Sequence, residues 1–340
     1  MSEPRKAAAV AGPSPPRVML ARLPTPLEPS RVVGARLGVP LWWKRDDLTG
    51  AELSGNKVRK LEFLLADAEA AGADTVITCG GEQSNHCRAT ALAAARRGLR
   101  CVLLLRVPDP AAPPPIEANS LLGRLAGAEI RYLSVEQYRR RDEAFRAVTD
   151  ELRGHGRRPY VIPEGGSNAV GAWGYVHAVA ELHAQLGGAA ATLVYAAGSG
   201  GTGAGIELGI RRAGWSKARA LGFAVCDDRP TFQAQIASIA AEASRRYQLG
   251  IEIDQASIEI IDKYIGPGYA QTTPEMLATI VDVARAEGVV LDPVYTGKAF
   301  FGLMHELAHG SDPFVGEVVF IHTGGIYGLL PFADRLRPLL

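Results

Sequence analysis

Short apolar runs alternate with longer amphipathic stretches along most of the chain. Asp74 to Cys79 is a compact, partly β-branched run, and an alanine-rich segment with helical spacing follows from about His86 to Arg97. Cys101 to Leu105, Ile130 to Leu133 and Tyr160 to Pro163 read as further strands, with a charged helix between the last two. A second series begins with a helix near Trp173. It continues through strand Thr192 to Ala197, a glycine-rich loop, a helix and strand Ala220 to Val225. Helices around Pro274 to Glu287 and Gly297 to His309, then strand Val318 to His322, complete it. Continuously apolar strands between helices are buried on both faces, which predicts parallel sheets covered by helices. Two such series predict an α/β chain with two parallel-sheet lobes. There is no internal repeat, and Pro108 to Pro115 reads as a low-complexity surface loop.

The expected division is a disordered tail over 1–16, a large domain from 17–57 and 170–340, and a small α/β domain over 58–169. The apolar stretch after Arg5-Lys6 is too short for a signal peptide and breaks at Pro13, Pro15 and Pro16. The 340 residues are 47% hydrophobic and 21% charged, as in an ordinary globular protein. A net charge of +1 gives no reason to expect nucleic acid or an anionic membrane as partner. No apolar run has the length of a membrane span. Cys79, Cys87, Cys101 and Cys226 lack metal-ligand spacing and read as reduced thiols of a cytoplasmic protein.

Ligands of open parallel sheets sit beyond the carboxyl ends of the strands. Four distinctive loops fall there: Gly80 to Asn85, Glu164 to Asn168, Gly198 to Gly205 and Thr323 to Tyr327. Gly198, Ser199, Gly200, Gly201 and Thr202 open a helix after a strand, so backbone N–H groups and a hydroxyl can close around a phosphate. The same loop satisfies the dinucleotide pattern through Gly198, Gly200 and Gly203, with Asp227 and Asp228 where a ribose-binding acid would sit. That leaves a nicotinamide-dependent oxidoreductase open as an alternative. Gln83-Ser84-Asn85-His86 also enters a helix from a strand. Ser84 and Asn85 are good N-cap residues, and the exposed N–H groups with the Ser84 hydroxyl suit a carboxylate.

Lys57 follows Ser54-Gly55-Asn56, with Arg59 and Lys60 within one turn. Neighbouring cations disfavour the ammonium and leave more free amine, the form that attacks a carbonyl. An activated lysine, a phosphate cup and a carboxylate loop together describe a pyridoxal phosphate enzyme acting on a small amino acid. Tyr269 and Tyr295 sit in turns, where they can stack, donate a proton or orient a carboxylate. His305 and His309 have metal-compatible spacing but no third ligand, so no metal is expected.

These segments resemble the fold-type II pyridoxal phosphate enzymes, which are tryptophan synthase β-like in fold. Within that group the resemblance is to the D-cysteine desulfhydrase and 1-aminocyclopropane-1-carboxylate deaminase family. It runs from Pro24-Thr-Pro-Leu27 to Gly325. Its motifs are Lys44-Arg-Asp-Asp47, Ser54 to Glu62, Gln83 to His86, Gly165-Gly-Ser167, Gly198 to Gly205, Leu291 to Lys298 and His322-Thr-Gly-Gly325. The resemblance implies Lys57 as the Schiff-base lysine and proton carrier, in a homodimer whose large domain binds the cofactor. It implies Lys60 and the Gly198–Thr202 loop at the phosphate, Asn85 at the cofactor hydroxyl, and Thr296 and Thr323 at the cofactor as well. Gln83, Ser84, Asn85, His86, Tyr269 and Tyr295 would face the substrate, with Ser84 and the two tyrosines sharing the catalysis.

Position 296 discriminates within the family, because the deaminases carry glutamate there to keep the pyridine nitrogen protonated. Thr296 provides no such charge, and the weaker electron sink favours expulsion of a β leaving group over opening of a cyclopropane ring. Thr323 points the same way. The expected activity is β-elimination of the D-cysteine desulfhydrase kind, with the deaminase reaction or β-replacement on a related amino acid as alternatives. Glu82 and Glu164 depart from the family pattern and are expected to add carboxylates near the pocket.

Overall fold

The computed structural model describes residues 14–310 and 314–340. The expected tail therefore falls largely outside the described residues, and residues 14–16 belong to no helix or strand. Two separate sheets form. The six-stranded one contains β1 (Leu27–Pro29), β2 (Leu41–Lys44), β7 (Ala191–Ala197), β8 (Ala218–Ala224), β9 (Ile260–Ile261) and β10 (Glu317–Ile321). The four-stranded one contains β3 (Thr75–Gly81), β4 (Arg100–Arg106), β5 (Glu129–Leu133) and β6 (Pro159–Val161). Their orders are β1-β2-β10-β7-β8-β9 and β5-β4-β3-β6. Every pairing is parallel except that of β1 with β2.

The apolar runs of the sequence become the central strands for a simple reason. Leu193, Val194, Val318, Val319 and Phe320 are buried on one sheet, and Val76, Ile77, Val102 and Leu104 on the other. Each such side chain contributes roughly 1.5–3 kcal/mol when it leaves water. Loops at the carboxyl ends of β3, β7, β8 and β10 converge on one crevice between the sheets.

The helix Asn56–Ala70 fills the space between the lobes and is buried continuously from Val58 to Ala66. It packs on Trp173–Gln185 of the large-sheet side and Asn85–Arg96 of the small-sheet side. Gly174 permits the first contact, since a Cβ there would lie 2.6 Å from the Arg59 carbonyl carbon. Arg59 points away from the crevice. Its guanidinium binds Asp46 at 2.7 and 2.9 Å and Glu181 at 3.0 and 3.2 Å. Tyr175 donates to Asp46 at 2.7 Å, and Lys44 completes the network by binding Glu181. Arg59 holds the Asp46 carboxyl below its usual range against the opposing effect of burial.

The patterns of the sequence do not show β1, β2 and β9, nor the helices Val33–Leu37, Ala118–Leu125 and Arg229–Arg246. β2 reads Leu-Trp-Trp-Lys and shows neither alternation nor a long apolar run. Arg229–Arg246 is an 18-residue helix whose buried face is mostly Phe232, Ile236, Ala240 and Ala243, too small a stripe to stand out. Asp228, a candidate ribose ligand in the dinucleotide reading, is that helix's N-cap and accepts from Thr231 N at 3.0 Å.

Candidate active site

The crevice is a cavity of about 910 Å³, within the usual size of a small-ligand site. Lys57 enters it from the first turn of Asn56–Ala70. Gly55 turns the chain there at φ 94°, and a Cβ on it would meet Thr323 O at 2.7 Å. Asn56 N donates to the same Thr323 carbonyl at 3.0 Å, so the lysine turn is pinned to the loop after β10. Burial lowers the Lys57 pKa to about 8, while Glu164 and Cys87 act in the opposite sense. The amine is thus activated chiefly by desolvation. Arg59, expected to contribute as a neighbouring cation, is instead neutralised by Asp46 and Glu181 on the other face of the helix.

Lys60 stands one turn on, behind the cavity wall. Its ammonium reaches Gly165 O at 3.2 Å and Ser167 Oγ at 3.3 Å and meets no carboxylate among the described residues. Burial pushes its pKa well down, and Lys57 adds to the effect. Gly165 O also lies 3.5 Å from Lys57 Nζ, so one carbonyl faces both amines. Ser167 and Ser199 share a hydrogen bond of 2.9 Å. Gly200 (φ 74°) precedes the helix Gly201–Arg212, whose Thr202 and Gly203 line the cavity, while Gly201 N is already bonded to Ser199 O at 2.9 Å. A Cβ on Gly201 would lie 2.7 Å from Ser167 Oγ and 2.9 Å from Lys60 Nζ. Asn56 Nδ2 donates to Thr202 Oγ1 at 3.3 Å. A buried lysine with no carboxylate partner among the described residues, two serines and a helix N-terminus in one corner form a cradle suited to an anion.

Across the cavity, Ser84 caps the helix Asn85–Arg96 by accepting from Cys87 N at 3.2 Å, which leaves its own proton to donate. Asn85 accepts from Asn119 Nδ2 at 3.1 Å, which leaves its amide N–H groups free for the cavity. His86 is buried. Thr78 donates to Ile162 O at 2.8 Å and so accepts from His86 Nε2 at 2.8 Å, while His86 Nδ1 is buried with no hydrogen-bond partner among the described residues. Burial, reinforced by Lys57 and Lys60, holds its pKa well below the ordinary value.

The phenols of Tyr269 and Tyr295 are 2.8 Å apart. Burial raises the pKa of Tyr269 to about 12 and raises that of Tyr295 as well, so both keep their protons and the pair retains one to donate. The Arg106 guanidinium stacks between two rings, 5.0 Å from the Tyr138 centroid and 5.0 Å from that of Tyr269. It has no carboxylate partner among the described residues. Glu164 does line the cavity, but Tyr138 donates to it at 2.7 Å and Arg141 lies 3.6 Å away.

Lys57, Ser84, Asn85, His86, Gly198, Ser199, Gly200, Thr202, Tyr269, Tyr295 and Thr323 all reach this cavity. Lys60 and Gly201 stand just behind its wall without lining it, and Gln83 and Thr296 do not reach it. Gln83 turns outward to bind Asn119 N at 3.0 Å and the Glu117 carbonyl at 3.2 Å. Thr296 is fully buried under the wall, where its hydroxyl donates to Asp292 Oδ1 at 2.7 Å and accepts from Asp292 N at 2.8 Å. Glu82 also stays out of the cavity, bound to Gln83 at 2.6 Å. Asn56, Ser167 and Arg106 were not singled out as site residues. Asn56 and Ser167 lie inside recognised motifs, whereas Arg106 merely ends an apolar strand and carries no local signal.

The sequence profile of the family described as pyridoxal-phosphate dependent enzyme matches residues 18–324. A bifunctional D-cysteine desulfhydrase/1-aminocyclopropane-1-carboxylate deaminase, mitochondrial, of Arabidopsis thaliana is 43% identical over 331 residues, covering 94% of this chain and 81% of that protein. A D-cysteine desulfhydrase of Yersinia pestis is 39% identical over 94% of this chain and 97% of that protein. The solved structure of an ACC deaminase homologue superposes with a TM-score of 0.85 at 39% identity, covering 96% of this chain and 97% of the other.

Proposed function

The chain belongs to the pyridoxal-phosphate dependent enzymes, and from that membership we propose that it eliminates a β leaving group from a small amino acid, as a D-cysteine desulfhydrase does, giving pyruvate, ammonia and sulfide. The observation that carries the reading is Lys57. Its amine has a pKa of about 8 and stands in a cavity that holds an anion cradle on one side and a proton-bearing tyrosine pair on the other.

The residues present fit the cofactor. Lys60, Ser167, Ser199, Thr202 and the amides of Thr202 and Gly203 would hold its phosphate, and a dianion there would restore the charge that burial denies Lys60. Asn85 has amide donors left for the ring hydroxyl. Pyridoxal phosphate, when bound, supplies the electron sink that acidifies the substrate α-proton. Lys57 would hold it covalently, and its free amine would take up the substrate α-proton. The Ser84 proton and neighbouring amides orient the substrate carboxylate. Arg106 adds positive charge beside Gly81 on the substrate side, and the tyrosine pair donates its remaining proton toward the departing group.

Elimination is favoured over ring opening because position 296 offers no carboxylate. Thr296 is too deeply engaged with Asp292 to act as a substitute. Incubation with D- and L-amino acids bearing thiol or chloride at Cβ is expected to release pyruvate and ammonia in equal amounts. Efficient conversion of 1-aminocyclopropane-1-carboxylate to 2-oxobutyrate would shift the assignment to the deaminase reaction.

Among the described residues no helix is long and apolar enough to cross a membrane. The cytoplasm is the proposed compartment, supported by four unpaired cysteines. A homodimer is the proposed assembly. Its support is an apolar patch where Ala118–Leu125 meets 326–332, with Leu125 73%, Leu330 58% and Ile326 50% exposed. Sedimentation at micromolar concentration tests the assembly.

A further inference from the structure

Lys298 is the third residue of the helix Thr296–Ala308, which starts directly after Tyr295. It is fully buried, and its ammonium donates to three backbone carbonyls: Gly268 at 2.7 Å, Ile265 at 2.8 Å and Val225 at 3.1 Å. No carboxylate pairs with it among the described residues. This is an expensive arrangement. A buried cation loses its hydration, and one in the first turn of a helix also faces the positive end of the dipole. Burial accordingly lowers its pKa to about 8, against the opposing influence of Cys226 and Asp292. A methionine would fill the same space without that cost, so the charge itself calls for an explanation.

The three carbonyls supply one. Val225 follows β8 and hydrogen-bonds back to Ala197 at 3.1 Å, next to the glycine loop. Ile265 and Gly268 belong to the turn that carries Tyr269. That turn is conformationally demanding: Gly266 has φ 71°, Gly268 has φ 144°, and Ala270 is a non-glycine residue at φ 58°. Without the ammonium, Ile265 O would have no donor among the described residues, and Gly268 O would keep only Gln271 N at 3.1 Å. The ammonium draws them together and ties the Tyr269 turn to the end of β8 and to the helix that begins at Tyr295. The phenol pair at 2.8 Å is the product of that geometry.

We propose that Lys298 is a positioning residue, a tethered monovalent cation that fills a cage of backbone carbonyls and thereby fixes Tyr269 against Tyr295 on the substrate side of the cavity. The inference rests on the substrate-facing role given to Tyr269 above. The cage has the ligand chemistry of a potassium or ammonium site, so a free cation should be able to replace the side chain once it is cut away.

The test uses the holoenzyme. Lys298→Ala is expected to lower kcat roughly tenfold to a hundredfold, the scale of an ångström-level misplacement. Ammonium, ethylammonium or potassium should restore it several-fold with saturation, and tetramethylammonium at equal ionic strength should not. Lys298→Met, whose stem blocks the cage, should lose activity similarly and resist rescue. Near-ultraviolet circular dichroism, compared with Tyr269→Phe, follows the tyrosine pair without turnover, so the inference stays testable even when no amino acid yields pyruvate. Wild-type activity should be indifferent to exchanging potassium for tetramethylammonium, and this arm needs no variant to fold. Wild-type kcat in Lys298→Met, a folded Lys298→Ala that no cation rescues, or a strong dependence of the wild type on added potassium would each overturn the proposal.

Discussion

The anion cradle makes a quantitative prediction at Gly201. Its φ is not in the left-handed region, so alanine suits the backbone and a helix N-terminus tolerates it. The cost is steric and local. The new methyl would sit 2.7 Å from Ser167 Oγ, 2.8 Å from Ser167 Cα and 2.9 Å from Lys60 Nζ. Lys60 can swing aside, but the Ser167 backbone cannot move without carrying Gly165, whose carbonyl holds both lysines. Gly201→Ala should therefore disrupt the contact proposed between Lys60 and the phosphate. A hydrogen bond to a charged group contributes roughly 1.5–3 kcal/mol, and about 1.4 kcal/mol is a factor of ten, so affinity for pyridoxal phosphate should fall about tenfold to a hundredfold. Absorbance titration of cofactor-free protein measures this. Pyridoxal, which lacks the phosphate, provides the control, since its weaker binding should change less than threefold. Equal losses for both ligands would mean that the methyl distorts the whole cavity and that the cradle is not the phosphate site.

Lys57→Ala should lack the visible band that borohydride abolishes in the wild type, and a persistent borohydride-sensitive adduct would relocate the covalent link. In cofactor-free protein, the rate of capture of a simple aldehyde by Lys57 should rise with pH through about 8, because burial lowers the amine pKa to that value and the neutral form is the nucleophile. A midpoint near the ordinary lysine value would contradict it. Tyr269→Phe leaves Tyr295 without its partner and should lower kcat roughly tenfold to a thousandfold with a smaller change in KM, as steady-state kinetics would show. Asp46→Asn leaves Arg59 and Lys44 sharing Glu181 and should destabilise the fold by roughly 3–5 kcal/mol in urea unfolding. Since the folded Asp46 pKa is depressed, its contribution is present above the unfolded value and lost as pH falls through the folded one. The variant should then show a flatter acid limb below about pH 4.

The two sheets and the loops around the site were legible because glycine, serine and asparagine interrupt apolar runs at the strand ends. Which way a side chain points was not. Gln83 and Ser84 are adjacent in one motif, yet Ser84 faces the cavity and Gln83 caps a neighbouring element. Thr296 follows Tyr295, yet its hydroxyl turns inward to Asp292. The activation of Lys57 was foreseen, but from the wrong cause. Proximity in sequence suggested Arg59, whose charge is cancelled by Asp46, thirteen positions earlier, and by Glu181, far along the chain. Arg106 and Lys298 acquire meaning only from partners that the fold brings in, two tyrosine rings for one and three carbonyls for the other.

The cavity has two walls that share almost no chain segments. Residues 56–60, 165–167 and 198–202 build the cradle, and each leans on the others through contacts under 3.5 Å. The opposite wall draws Arg106, Tyr138, Tyr269 and Tyr295 from four separate places, joined mainly by ring faces and one phenol pair. Such a division lets the substrate repertoire drift in evolution while cofactor retention stays constant. It also tells a protein engineer where to diversify: a library at 106 and 138 that keeps Tyr269 and Tyr295 should sample new amino acids with the phenol pair intact, whereas the same effort spent on 165–167 or 198–202 should yield mostly enzymes that no longer load.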